Sequence, residues 1–197
     1  SSGNIYVSGS TSGELDGNTH FGDRDIFLVK YNSSGQKQWT KQLGTSYWDS
    51  GTRVTTDSSG NIYVTGLTSG GLDGNTSSGS LDIFLVKYNS SGTKQWTKQL
   101  GTSSYVDYGR GVTTDSSGNI YVTGETLGGL DGNTNSGFED IFLVKYNSSG
   151  TKQWTKQLGT SKDDRGFGVT IDSSGNIYVS GSTSGELDGN THFGDRD

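Results

Sequence analysis

The pentapeptide Leu-Asp-Gly-Asn-Thr occurs four times, setting an acid two residues before an amide at Asp16 and Asn18, Asp73 and Asn75, Asp131 and Asn133, and Asp188 and Asn190. Further acids follow each copy: Asp23 and Asp25, Asp82, Glu139 and Asp140, and Asp195 and Asp197. Oxygen ligands spaced along a glycine-containing loop are what Ca2+ requires, so the four Asp/Asn pairs are the candidate metal ligands. An EF-hand is excluded, because Phe21 or its counterpart stands where that loop needs glycine and no terminal glutamate is in place. The competing assignment is an Asx-type turn, in which the same side chains cap the backbone. On that assignment no cofactor is expected.

Other catalytic chemistry has little to draw on. His20 and His192 are one site in two copies, and no G-x-S-x-G elbow is present, so neither a histidine cluster nor a nucleophile triad can be assembled within a unit. Asp163 and Asp164 could be a carboxylate pair of the glycosidase kind, but an exposed polar loop accounts for them, since the other copies carry one acid there (Asp49 and Asp107). Tyr47, Trp48, Tyr105, Tyr108 and Phe167 fall in one class of variable loop. Aromatic rings raised on a loop face suit carbohydrate or protein contact, which makes these five the candidate ligand-binding residues. Alternatively, they plug the mouth of a central channel. The sequence is expected to be non-enzymatic, because near-identical units leave no unique set of acid, base and nucleophile.

The elements that must hold these residues are short and repeated. Ser1 to Asp25 returns letter for letter as Ser173 to Asp197, with close copies from Ser58 and Ser116, giving units 1–57, 58–115 and 116–172 and a partial unit 173–197 within one domain, 1–197. A period near 50 residues marks a stacked or radial repeat whose units bury their apolar faces only against one another. Each unit reads as four strands. Strand a, Ile26 to Tyr31, is β-branched and aromatic with little alternation, as suits a strand covered on both faces. Strand b, Lys37 to Leu43, alternates. Strands c (Arg53 to Thr56) and d (Asn61 to Val64) flank a second tight hairpin. The a–b and c–d turns are short Ser-Ser-Gly hairpins, whereas the b–c connection (44–52) and the d–a connection (65–82, read as passing between units) are long. In a meander the long loops all fall at one end, and there the copies differ most. A binding surface would be built on that face.

Hydrophobic residues make up 27% and Gly contributes 33 residues, yet a net charge of only −6 and 11% aromatics argue against disorder and for a turn-rich all-β chain. The absence of Cys excludes disulfides and thiolate metal sites. An excess of 21 acidic over 15 basic residues disfavours nucleic acid as a partner. No apolar run approaches the roughly 18 residues that span a membrane. Four antiparallel strands in about 57 residues is the content of a β-propeller blade, and apolar strand a suits the buried inner position. The expected fold is therefore three blades plus an extra strand, with a β-trefoil as the alternative.

The run D-SSGNIYVTG-T, LDGNT and DIFLVKYNSSGTKQWTKQLGT resembles the SBBP-type β-propeller repeat over essentially the whole chain. The resemblance implies an exported or cell-surface microbial protein and carries no ligand with it. Asn-Ser-Ser-Gly-x-Lys-Gln-Trp is also similar to the tryptophan-docking hairpin of quinoprotein propellers, with Gly four before Trp; this implies that Trp39, Trp96 and Trp154 are structural clamps between blades. The quinone site commonly uses a vicinal Cys pair, and Cys is absent. Three blades cannot close a ring that needs about 4–8. The expectation is closure by self-association, most simply as a dimer, in a scaffold or a lectin- or adhesin-like module. The alternatives are a symmetrised self-assembling repeat and, further off, a quinoprotein-like or hydrolytic enzyme.

Overall fold

The computed structural model describes residues 3–103 and 105–194. Its strands are β1 (Ile5–Thr11), β2 (Asp25–Tyr31), β3 (Lys37–Leu43), β4 (Asp49–Thr56), β5 (Ile62–Thr68), β6 (Asp82–Tyr88), β7 (Lys94–Leu100), β8 (Asp107–Thr114), β9 (Ile120–Thr126), β10 (Asp140–Tyr146), β11 (Lys152–Leu158), β12 (Asp164–Ile171) and β13 (Ile177–Thr183). They form antiparallel meanders in the orders β1-β2-β3, β4-β5-β6-β7, β8-β9-β10-β11 and β12-β13. The fold is a β-propeller with two complete four-stranded blades flanked by two partial ones; no trefoil forms.

The pairing corrects two sequence expectations. Strand d pairs with the following strand a, as in Ile62↔Tyr88 through Thr68↔Asp82, so the d–a connection lies inside a blade. The b–c connection, shortened because β4 already begins at Asp49, passes from one blade to the next. The inner position is likewise taken by strand c. β4, β8 and β12 pack in succession around the axis, while the apolar strand a sits third in its blade, where neighbouring sheets cover both faces. Strand c suits the crowded axis because it is rich in glycine: a Cβ on Gly109 would lie 2.9 Å from the Gly66 carbonyl oxygen of the preceding blade.

Sheet-on-sheet packing makes the core. One cluster joins Ile26 and Leu28 of β2 to Ile62, Val64, Phe84, Val86 and Tyr88 of the next blade, and a second repeats the pattern one blade on with Ile83, Leu85, Phe142, Val144 and Tyr146. Burying such side chains contributes about 1.5–3 kcal/mol each. No unit could keep that contribution alone, which is the sense in which the blades fold together. Within a blade, Phe84 lies against Gly66 and Phe142 against Gly124, where a Cβ would come within 2.9 Å of either ring.

Each hairpin is set by one side chain. Asn32 Oδ1 accepts from the Ser34 and Gln36 amides at 3.0 and 2.9 Å, and Gly35 takes φ of 73°. The c–d turns use Asp57, Asp115 and Asp172 in the same way and add an inward bond from a tyrosine hydroxyl, Tyr63, Tyr121 or Tyr178.

Candidate functional site

The Asp-Gly-Asn loop closes on the sheet beneath it. Asp73 adopts φ of 56°, a left-handed conformation that Asp tolerates better than most residues. Its carboxylate is directed at strand b, where one oxygen pairs with the Lys94 ammonium and the other accepts from Thr97 Oγ1 at 2.8 Å. Asp16 makes the same pair with Lys37 and Thr40, and Asp131 with Lys152 and Thr155. Asn18, Asn75, Asn133 and Asn190 spend their amide nitrogens on the carbonyls of Leu15, Leu72, Leu130 and Leu187. Asp188 adopts the same left-handed conformation, with φ of 50°. In three copies, then, a lysine ammonium is paired with the Asp carboxylate of the loop. Among the described residues, no group of three or more His, Cys, Asp or Glu side chains is placed to hold a metal.

The remaining acids are mostly structural. Asp25, Asp82 and Asp140 are fully buried at the start of strand a. One oxygen of each accepts from Gln42, Gln99 or Gln157 and from a loop amide, and His20 Nδ1 lies 3.2 Å from Asp25. The other oxygen lies against Gly44, Gly101 or Gly159, where a Cβ would collide at 2.0–2.1 Å. A second buried set, Asp49, Asp107 and Asp164, opens each inner strand and receives hydroxyl bonds from Thr68, Thr126 and Thr183. Burial raises the carboxyl pKa of Asp49 and Asp107 above the ordinary range despite those bonds, and the neighbouring Asp25 or Asp82 adds to the rise. The expectation that Asp163 and Asp164 share an exposed loop is thus half corrected. Asp164 is sealed in the fold, and Asp163 stays at the surface, 3.9 Å from Arg165. Asp195 and Asp197 lie outside the described residues.

Two variable segments meet at one end of the molecule. The tip of each d–a loop packs on the crossover that follows the blade: Gly22 lies against Thr45 and Ser46, Gly79 against Thr102 and Tyr105, and Gly137 against Thr160 and Ser161. Parallel bridges Arg24↔Trp48 and Leu81↔Val106 fasten the pairs. Tyr47, Trp48 and Tyr105 therefore stand on this face, 60%, 37% and 51% exposed. Phe21 and Phe138, which the sequence did not single out as ligand contacts, join them from the d–a side at 51% and 64%. A cleft of about 230 Å³ lies beside Phe138, lined by Lys162, Asp163 and Ser184.

Tyr108 and Phe167 are not loop residues, as the sequence suggested, but members of inner strands β8 and β12. Each inner strand carries a bulge, and the bulged residue differs in every copy: Thr52, Arg110 and Phe167. Thr52 Oγ1 donates to the Gly109 carbonyl of the next blade at 2.5 Å. Arg110 lies 5.0 Å from the Tyr108 ring and makes a bidentate pair with fully buried Glu125. Burial raises the Glu125 pKa in spite of that pair. Arg165 binds Glu139 at 2.6 Å. The Arg110–Glu125 pair was legible only by comparing copies, where Glu125 replaces Leu67 and Ser182.

Trp39 and Trp96 each lie against a glycine in the a–b hairpin of the following blade, Gly92 and Gly150, with the added Cβ within 3.0–3.1 Å of the ring. Trp39, Trp96 and Trp154 also pack beside Tyr6, Tyr63 and Tyr121 in their own blades.

The SBBP β-propeller repeat matches three times, at residues 38–73, 95–131 and 153–188, more than half of the chain. The chain belongs to the SBBP β-propeller repeat family. Each matched segment runs from an outer strand through the crossover and the c–d hairpin to the Asp-Gly loop, so it straddles two blades. The chain is similar to the regulatory protein FlaEY of Caulobacter vibrioides, with 27% identity over 193 residues covering 87% of the chain and 20% of FlaEY. It is also similar to an uncharacterised WD repeat-containing protein of Acanthamoeba polyphaga mimivirus, with 26% identity over 185 residues, 78% of the chain and 13% of that protein. The chain spans a fifth or less of the length of these relatives.

Proposed function

We propose that this SBBP chain is a non-enzymatic binding module of an exported protein, which presents its variable loop face to carbohydrate and completes its ring by self-association. One observation carries the reading: Phe21, Tyr47, Trp48, Tyr105 and Phe138 converge from two loop classes on one end of an otherwise repeated scaffold. Phe138, flanked by Lys162, Asp163 and Ser184, suits stacking on a sugar face with polar contacts at its edge. The non-catalytic part is supported by how the acids are used, since the buried Asp side chains are held by Thr, Gln and backbone donors within the sheets. Tyr108 and Phe167 belong to inner strands β8 and β12, and the reading does not rest on them.

Binding to a glycan array tests the proposal. Tyr47→Ala with Trp48→Ala should weaken retention of a bound glycan at least tenfold while leaving the melting temperature unchanged. Retention equal to that of the unaltered chain, or turnover of a chromogenic glycoside, would refute it.

A further inference from the structure

The two partial blades are complementary. The β1-β2-β3 sheet supplies strands d, a and b, and the β12-β13 sheet supplies c and d. Contacts that recur between blades break off at both. The Lys30 ammonium binds the Ser90 carbonyl and Lys87 binds that of Ser148, so the third member of the series, Lys145, matches Ser33. Trp39 covers Gly92 and Trp96 covers Gly150, leaving Trp154 to match Gly35, which has no atom within 4 Å of an added Cβ. Gly9, Gly66 and Gly124 each lie under a phenylalanine ring; Gly181 has none.

Burial follows the same break. Leu72 and Leu130 are fully buried, whereas Leu187 is not. Ile62, Val64, Ile120 and Val122 are sealed, but Val179 is 38% exposed, and Leu158 on the last outer strand is 42% exposed. Between β10-β11 and β13 lies an apolar cleft of about 330 Å³, lined by Ile141, Leu143, Leu158, Val179, Gly181 and Leu187 among others. The matching space one blade earlier is filled by Phe142 and Val144 of strand a. Their counterparts in β2 are Phe27, half-buried against Gly9 of its own sheet, and Val29, which is buried.

We infer that the occupant of this cleft is the β2-β3 pair of a second copy of this chain, and that two copies form a six-bladed ring through two composite blades. Each copy brings two complete blades, and each composite blade takes strand c from β12 of one copy and strands a and b from β2 and β3 of the other. Six lies within the range of about 4–8 over which propellers close. Strand d of a composite blade can be filled by β13 or by β1, whose sequences are identical, Ile-Tyr-Val-Ser-Gly-Ser-Thr. The two strands are therefore redundant. The inference deepens the self-association half of the proposed function and is independent of any glycan.

Light scattering on the full chain tests it. The unaltered protein should have twice its 20.9 kDa chain mass at micromolar concentration. Leu158→Asp, at an already exposed site, should reduce that to the single-chain mass with an unchanged far-ultraviolet spectrum. Because β1 and β13 are redundant, Val7→Asp or Val179→Asp alone should keep the dimer, and the double variant should lose it. Loss of glycan binding in the Tyr47→Ala, Trp48→Ala variant should leave the mass unaltered, which separates failure of this inference from failure of the loop-face reading. A single-chain mass for the unaltered protein, a mass other than twice the chain, or a dimer insensitive to Leu158→Asp would overturn it.

Discussion

Removing the carboxylate of Asp115 should cost far more than an ordinary substitution at an exposed turn. Asp115 Oδ1 accepts from the Ser117 and Asn119 amides at 2.9 and 2.8 Å, and Oδ2 accepts from Asn119 Nδ2 at 2.8 Å and from the Tyr121 hydroxyl at 3.1 Å. Hydrogen bonds to a charged partner are worth about 1.5–3 kcal/mol each when shielded. The turn is half in water, so the two amides can be resolvated at little cost. Tyr121 is only 5% exposed, and a buried hydroxyl left unpaired costs about 1–3 kcal/mol. Asp115→Ala should therefore destabilise by about 2–4 kcal/mol and Tyr121→Phe by about 1 kcal/mol, with a coupling near 1 kcal/mol in the double variant. Urea unfolding followed by tryptophan fluorescence reads all three, because Trp154 lies 6.1 Å from the Tyr121 ring. Burial pushes the Asp115 pKa up, but the bonds from Asn119, Tyr121 and Ser117 outweigh it and hold it below the ordinary value. A depressed folded-state pKa gives stability that is fully present above the unfolded value of about 3.9 and is lost as pH falls through the lower one. The deficit of the Ala variant should accordingly shrink below about pH 4. A deficit under about 0.5 kcal/mol at neutral pH, within the scatter of surface substitutions, or one that persists in acid, would refute the reasoning.

Arg110→Met should destabilise by about 3–5 kcal/mol, because it leaves buried Glu125 unpaired, and adding Glu125→Leu, the residue at the equivalent position 67, should restore most of the loss in thermal melts. Trp96→Ala should cost about 3–5 kcal/mol, since both its own blade and Gly150 lose a partner. Trp154→Ala should cost much less in a dissociated chain and a comparable amount in the dimer, as read by unfolding the Leu158→Asp background and the unaltered background side by side. Millimolar Ca2+ should leave the melting temperature unchanged, because lysines 37, 94 and 152 hold the Asp-Gly-Asn carboxylates, and a calorimetric signal with the unaltered chain would contradict the geometry.

What the sequence made legible follows from where identity between copies was informative. The strands, the hairpins and the blade content are local patterns, visible in Ile-Phe-Leu-Val-Lys-Tyr and in the Ser-Ser-Gly turns. Strand order across the axis is a non-local property, and apolarity misled there. Strand a is the oiliest segment because two sheets cover it, while the axis selects for small residues such as Gly51, Gly109 and Gly166, which let backbones approach. The Asp residues after each loop read as surface ligands because acids are usually exposed. Their burial depends on Gln42, Gln99 and Gln157, which lie 17 residues away in sequence and on another strand. Loop aromatics were legible as a class, but membership was not: strand c starts four residues earlier than its apolar pattern, at Asp49 rather than Arg53, and that places Tyr108 and Phe167 in the sheet.

That shift also separates two kinds of variability that look alike in the sequence. Differences at the loop face are uncoupled from the buried scaffold: Tyr47 and Tyr105 face solvent, and what changes beside them is the facing d–a tip, Arg24 against Trp48 and Leu81 against Val106. Differences at the axis are coupled, since Arg110 appears in the unit that carries Glu125 on the adjacent strand, and Thr52 instead spans to the Gly109 carbonyl. Uncoupled change is what drift or ligand selection produces on an exposed loop. Coupled change is what close packing enforces, because a buried glutamate without its arginine would cost several kcal/mol. Exchanging the crossover tips 46–48 and 103–106 between blades, which leaves Thr45 and Thr102 on their buried Asp partners, should therefore move binding specificity without altering stability, whereas exchanging Arg110 with Thr52 should destabilise the ring even though composition is conserved. Equal stability losses in the two exchanges, measured by the same urea titration, would remove the distinction and with it the reason to place ligand contact on the loop face instead of the axis.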